Sequence, residues 1–142
     1  MNIKTLLTAT LFSAVASTSV FAGELKLPEY IDALELNGQD IAAFQDVIPL
    51  GEGRQVLTLQ YKQLHYTGTD SHDFILSTPF YLVVDNQGDP IELVTDKIVS
   101  VQEAMRFSSA PKAMIKSNGR LQPANIKTRD ELLAQLALQT DF

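Results

Sequence analysis

Both histidines of the 142-residue chain, His65 and His72, fall in the segment HYTGTDSHD together with Asp70 and Asp73. Imidazole and carboxylate are workable ligands for a divalent cation, and a histidine oriented by an aspartate can serve as a general base. Either chemistry needs a third convergent group, and the spacing of these four residues matches no recognised metal signature. The segment reads more simply as a polar excursion between two strands. A small metal-binding or hydrolytic protein built on His65, Asp70, His72 and Asp73 is therefore the alternative reading, not the leading one.

Other patterns fall away on similar grounds. Gly51-Glu52-Gly53 begins like a G-x-G-x-x-G phosphate loop, but Val56 stands at the third glycine position and a strand pattern follows where a helix N-terminus is needed. Asp85-Asn86-Gln87-Gly88-Asp89 is rich in oxygen ligands, yet it lacks the ligand spacing and the distal bidentate acid of a calcium loop, so a hairpin turn is expected. There is no G-x-S-x-G, and Ser108 and Ser109 have no base nearby in sequence. With no cysteine in the chain, thiolate chemistry, Cys-ligated metal and disulfides are excluded. The expectation is a protein with no catalytic residue, no cofactor and no metal, and so not an enzyme.

The elements that hold these segments are β-rich. Leu25 and Leu27 alternate with charged neighbours, and Tyr30 to Leu36 is a second strand pattern with Leu34 and Leu36 on one face. Asn37-Gly38 supplies the positive φ angles of a tight hairpin, with a short return over Asp40 to Phe44. Leu57, Leu59 and Tyr61 share one face of the clearest strand, which can run on through Leu64 and Tyr66. Gly51-Glu52-Gly53 is then expected to be the second turn of a strand, return and strand unit. Phe74 to Leu76, Phe80 to Val84 and Ile91 to Val94 complete about six strands, with Pro79 tolerable at an edge or bulge.

Two helices carry capping boxes, at Ser100-Val101-Gln102-Glu103 and Thr128-Arg129-Asp130-Glu131. Val101, Ala104 and Met105 form the first apolar stripe. Leu132, Leu133, Leu136 and Ala137 form the second, which predicts packing on the sheet. Between the helices lie a last strand near Ala113 to Ile115 and a turn at Asn118-Gly119. The predicted fold is mainly β: a single antiparallel β-sandwich of about six to seven strands, with one or two short helices toward the C-terminus.

The first 22 residues, MNIKTLLTATLFSAVASTSVFA, have the early charge, apolar stretch and small-residue end of a secretory signal peptide. Cleavage is expected after about Ala22, leaving residues 23–142 as one domain that is periplasmic or secreted, without a lipid anchor. No stretch reaches the roughly 18 to 20 apolar residues of a spanning helix.

Charge is segregated. Residues 24–103 hold 14 acidic and 4 basic side chains, whereas residues 106–129 hold 6 basic and no acidic ones. An overall net charge of −6 argues against nucleic acid as a partner. The basic run could instead engage an anionic polymer or an acidic envelope protein, with Lys112, Lys116 and Arg120 as first contacts and Arg106 and Phe107 in support. Oligomeric state is not legible.

Three segments, LKLPEYIDALELNGQDI after the leader, GRQVLTLQYKQL, and EAMRFSSAPKAMIKSNGRLQP, together resemble the YccT-like family of exported bacterial proteins. In the third, Phe107 and Ala110-Pro111-Lys112 match best. The first two are also similar to PEGA-type sandwich modules of bacterial surface proteins. The resemblance implies no catalytic residues. It implies a binding role, one form of which is control of extracellular curli fibre assembly.

Overall fold

The computed structural model describes residues 23–139. The expected leader, its cleavage point and the terminal Phe142 lie outside the described residues. Within them are eleven strands and two helices arranged as two sheets.

The larger sheet contains β2 (Ile31–Leu36), β3 (Gln39–Asp40), β5 (Gly53–Tyr66), β6 (His72–Leu76), β7 (Phe80–Asn86) and β11 (Asn125–Thr128), in the order β11-β7-β5-β2-β3 with β6 also on β5. The smaller contains β1 (Gly23–Lys26), β4 (Val47–Leu50), β8 (Ile91–Val94), β9 (Met114–Ser117) and β10 (Arg120–Pro123), ordered β10-β9-β8-β1-β4. All pairs are antiparallel except β1 with β8. The mainly β, sandwich-like architecture matches the expectation from alternation. The strands beyond six or seven include β3, β4, β10 and β11, each four residues or shorter.

The sheets meet through their alternating apolar faces. Leu57, Leu59 and Tyr61 of β5, with Leu82 of β7, oppose Leu25, Ile48 and Leu50, and all are fully or almost fully buried. Each such side chain stabilises the fold by roughly 1.5–3 kcal/mol relative to exposure. The Tyr61 ring lies 5.7 Å from Tyr30 and 5.4 Å from Phe107, and Phe107 lies 6.1 Å from Phe80. This aromatic cluster joins helix α1 (Val101–Ser109) to the sandwich.

Asn37-Gly38 forms the expected hairpin, with φ of 51° and 79°. The Asn37 side chain goes further, accepting a hydrogen bond at Oδ1 from Val56 N at 2.9 Å and donating to Gln55 Oε1 at 2.7 Å. In β2 the inward residues are Ile31 and Ala33. A β-bulge between Ala33 and Glu35 inserts Leu34, so Leu36 pairs with Leu57 and lies against the core without sharing a strict alternation with Leu34.

The two glycine-containing loops behave differently from expectation. Gly51 and Glu52 do not close a hairpin; they carry the chain from β4 in one sheet to β5 in the other. Residues 87–90 likewise pass from β7 to β8, between sheets. Turn chemistry fixes a local bend but not which sheet the next strand joins. Buried Asn86 ties the two crossings together, donating from Nδ2 to Gly51 O at 2.8 Å and accepting from Gly88 N at 3.1 Å.

Both capping boxes form. Ser100 Oγ accepts from Glu103 N at 3.1 Å, and Glu103 Oε2 accepts from Val99 N at 3.0 Å. In α1 the buried residue is Ala104 with Phe107 half-buried beside it, whereas Met105, expected in the stripe, faces solvent. At α2 (Arg129–Gln139) the pair is directly reciprocal: Thr128 Oγ1 accepts from Glu131 N at 3.2 Å and Glu131 Oε2 accepts from Thr128 N at 2.7 Å. The expected packing of this helix on the sheet does not occur: Leu132 is half-buried, and Leu133 and Leu138 are exposed.

Candidate functional site

β5 is longer than either neighbour. Its residues from Gly53 to Leu59 pair with β7, and β2 pairs as far as Tyr61. Beyond that point β6 alone pairs with it, from Lys62 opposite Leu76 to Tyr66 opposite His72. β6 and β7 run along the same edge of β5, joined through Ser77-Thr78-Pro79, so that Pro79 sits at an interruption of the ladder. Residues 62–66 and 72–76 thus form a two-stranded arm that extends past the sandwich.

One face of the arm is covered. Ile75 is half-buried and His65 is buried. The Tyr61 hydroxyl donates to Gln63 Oε1 at 2.8 Å, and His65 Nε2 lies 2.9 Å from the same hydroxyl. Burial, with the nearby Tyr30 adding to it, pushes the Tyr61 phenol up to about 12.

The opposite face is apolar and open. Leu64 and Tyr66 stand across from Phe74 and His72, with Leu76 in the next row, and Tyr66 and Phe74 are 79% and 59% exposed. Leu76 is 54% exposed. Phe44, at φ 64° and 84% exposed, extends this surface: Lys62 Nζ sits 4.9 Å above its ring while pairing with Asp32. Isolated apolar residues on a surface need no explanation, but a contiguous cross-strand set makes this face a candidate interaction surface. The signal was present in the sequence. Leu57, Leu59 and Tyr61 of β5 stand at odd positions and Leu64 and Tyr66 at even ones, a change of phase that moves the apolar side to the other face.

The histidine segment is split by the same alternation. His65 faces inward, His72 lies on the outer face with its ring 6.4 Å from Tyr66, and Asp70 is in the connecting loop. Asp73 is opposite His65 but exposed. Among the described residues no three of His, Asp and Glu converge where an ion could sit.

The basic run is dispersed over three places. Arg106 and Lys112 line a cleft of about 400 Å³ with Lys97, Asp96 and Glu103. Lys116 belongs to the smaller sheet, in a cross-strand row Leu121, Lys116, Glu92, Lys26, Val47, where it stands opposite Glu92. Arg120 lines a different cleft, of about 660 Å³, with Asp85, Asp89 and Ser117. Phe107 turns inward against Tyr61 and Phe80. Of the five residues expected to form one contact surface, Arg106, Phe107 and Lys112 line one cleft, shared with Lys97 and the acidic Asp96 and Glu103.

No curated protein and no solved structure matches the chain. The sequence model of a bacterial family matches residues 24–140, nearly the whole of the described range. The chain belongs to that family, the uncharacterized proteins conserved in bacteria grouped as DUF2057.

Proposed function

We propose that this protein is exported, with its leader removed after about Ala22, and that it acts in the periplasm or outside the cell as a non-enzymatic binding protein. The observation that carries this reading is the outward face of the β5–β6 arm, where Leu64, Tyr66, Phe74 and Leu76 are held in register and each is more than 40% exposed. Keeping such a set in water costs about 25 cal/mol per Å² of apolar surface left unburied, so a partner that covers it gains directly. The partner is an envelope protein. A second, electrostatic contact to an acidic protein or anionic polymer falls to Arg106 and Lys112 with Lys97, and to Lys116 and Arg120 on their separate surfaces. The YccT-like resemblance supports an envelope role and gives it a finer form, restraint of curli fibre assembly.

Crosslinking in the native envelope followed by mass spectrometry tests this reading. A discrete partner, lost on Tyr66→Ser with Phe74→Ser, is expected. Crosslinks that do not change in that double variant would remove the arm from the reading. N-terminal sequencing of the mature chain should begin at or next to Gly23, and a chain that retains Met1 would remove export. Salt-sensitive retention on an anionic matrix should fall when Arg106 and Lys112 become Gln, and unchanged retention would remove the electrostatic contact.

A further inference from the structure

The arm has an open backbone edge as well as an open face, and the hydrogen-bond register says which groups lie along it. Ser77 N donates to Tyr61 O at 2.9 Å, and at the far end of the arm Thr67 N donates to Ser71 O at 2.9 Å. In an antiparallel ladder such bonded positions alternate. The intervening odd residues of β5, Gln63 and His65, therefore turn their N–H and C=O toward β6. The even residues turn theirs to the other side, and Lys62 N does so, donating to Tyr30 O at 2.9 Å. Past Tyr30 the chain leaves, and no strand among the described residues pairs with this side of β5 beyond Tyr61. The N–H and C=O of Leu64 and Tyr66 thus point along an edge with no strand on it, next to the apolar side chains of the same two residues.

We infer that this edge is a strand-accepting site, and that its occupant is an extended segment of another protein, with apolar side chains at alternate positions, lying in line with β2. The inference rests on the proposed role in protein binding and specifies how the partner is held. Four backbone groups facing the edge define a polypeptide backbone as the ligand, since main-chain pairing is the interaction that satisfies them together. The side chains of Leu64 and Tyr66, flanked by Phe44 and Phe74, select apolar residues at every second position of that segment. Charge narrows the partner further: 14 acidic against 4 basic side chains in residues 24–103, with Asp70 beside the arm tip, disfavour an acidic segment and favour a neutral or basic one.

The test uses residues 23–142 and, as probe, an eight-residue peptide of alternating Val and Thr with Lys at each end. Fluorescence anisotropy should register binding, and amide hydrogen exchange at Leu64 and Tyr66 should slow when the peptide is present. Leu64→Pro removes an amide that does not face β6, and should weaken binding by about tenfold or more. Leu121→Pro, which alters the edge strand β10 of the other sheet, should leave binding unchanged. Should Leu64→Pro loosen the arm, a peptide N-methylated at alternate residues gives the same reading on the wild-type protein and should fail to bind. No binding, or binding indifferent to both Leu64→Pro and N-methylation, would overturn the inference. A protein dimer dissociated by Leu64→Pro would also overturn it, by giving the edge to a second copy of this chain. Envelope crosslinks that survive Leu64→Pro would leave the protein-binding role standing while this mode of binding falls.

Discussion

Ser77 completes the ladder of Tyr61 with its side chain as well as its backbone: its amide donates to Tyr61 O at 2.9 Å and its Oγ accepts from Tyr61 N at 3.0 Å. Ser77 O is thereby released to accept from Gln60 Nε2 at 2.8 Å. The residue bridges the end of β6 and the start of β7 on a β5 that both strands share, and it is buried. Ser77→Ala strands the amide of a buried core tyrosine, which costs about 1–3 kcal/mol. Urea denaturation should show that loss, and amide exchange should quicken in the arm ahead of the sandwich.

Tyr61 makes stability fall at alkaline pH. Burial pushes its folded-state phenol up to about 12, from the 10.0 of a free tyrosine, so above pH 10 the unfolded chain releases a proton that the folded chain retains. The stabilisation is complete below pH 10 and is lost as pH rises toward 12. Tyrosinate absorbance should show the Tyr61 phenol titrating late, and Tyr61→Phe should flatten this part of the stability profile.

At the first hairpin the two turn residues have separable roles. Asn37 supplies a positive φ and a side-chain acceptor for Val56 N, whereas a Cβ at Gly38 would meet nothing within 4 Å. Gly38→Ala should therefore cost only the left-handed backbone strain, about 1 kcal/mol. Asn37→Ala adds a lost hydrogen bond to that strain, and should cost about 2 kcal/mol or more. Paired denaturation curves check the order.

The outer face of the arm separates stability from binding. Tyr66→Ser and Phe74→Ser should each change folding stability by less than about 1 kcal/mol, because both rings are largely exposed. Leu59→Ala in the same β5 should cost about 2–5 kcal/mol. Equal melting temperatures with reduced partner crosslinking would be the expected signature of the exposed pair.

Capping by Ser100 is local. Ser100→Ala should cost about 1 kcal/mol by releasing Glu103 N, and Ser100→Asp should retain most of the stability. Circular dichroism with thermal melting distinguishes the two.

Much of this architecture is legible in the chain because it rests on repeating local rules. The odd-position apolar run through Tyr61, the Asn-Gly turns and the two capping boxes each specify their own geometry. What stayed hidden is of three kinds. β4 is four residues long and contains Pro49, which is tolerated because β4 is an edge strand, a fact that depends on the other sheet. The bulge at Leu34 inserts one residue that no propensity marks. The basic run looks continuous in sequence, but it passes through a helix, a loop and a hairpin. Arg106 and Lys112 therefore share a cleft while Lys116 and Arg120 lie elsewhere. The arm surface was available in the change of apolar phase at Lys62, a signal carried by position, not by composition.

The one parallel pairing, β1 beside β8, sets an order of events. β1 occupies an inner position of the smaller sheet, and its neighbour on one side is more than sixty residues away, at Ile91. Closing so long a loop is entropically costly and slows folding relative to nearest-neighbour hairpins. A chain still in synthesis can form the β2–β5 pairing early, yet its first strand must wait with one edge bare until about two thirds of the polypeptide has emerged. For that interval the smaller sheet stays open on the side of β1 that β8 will fill.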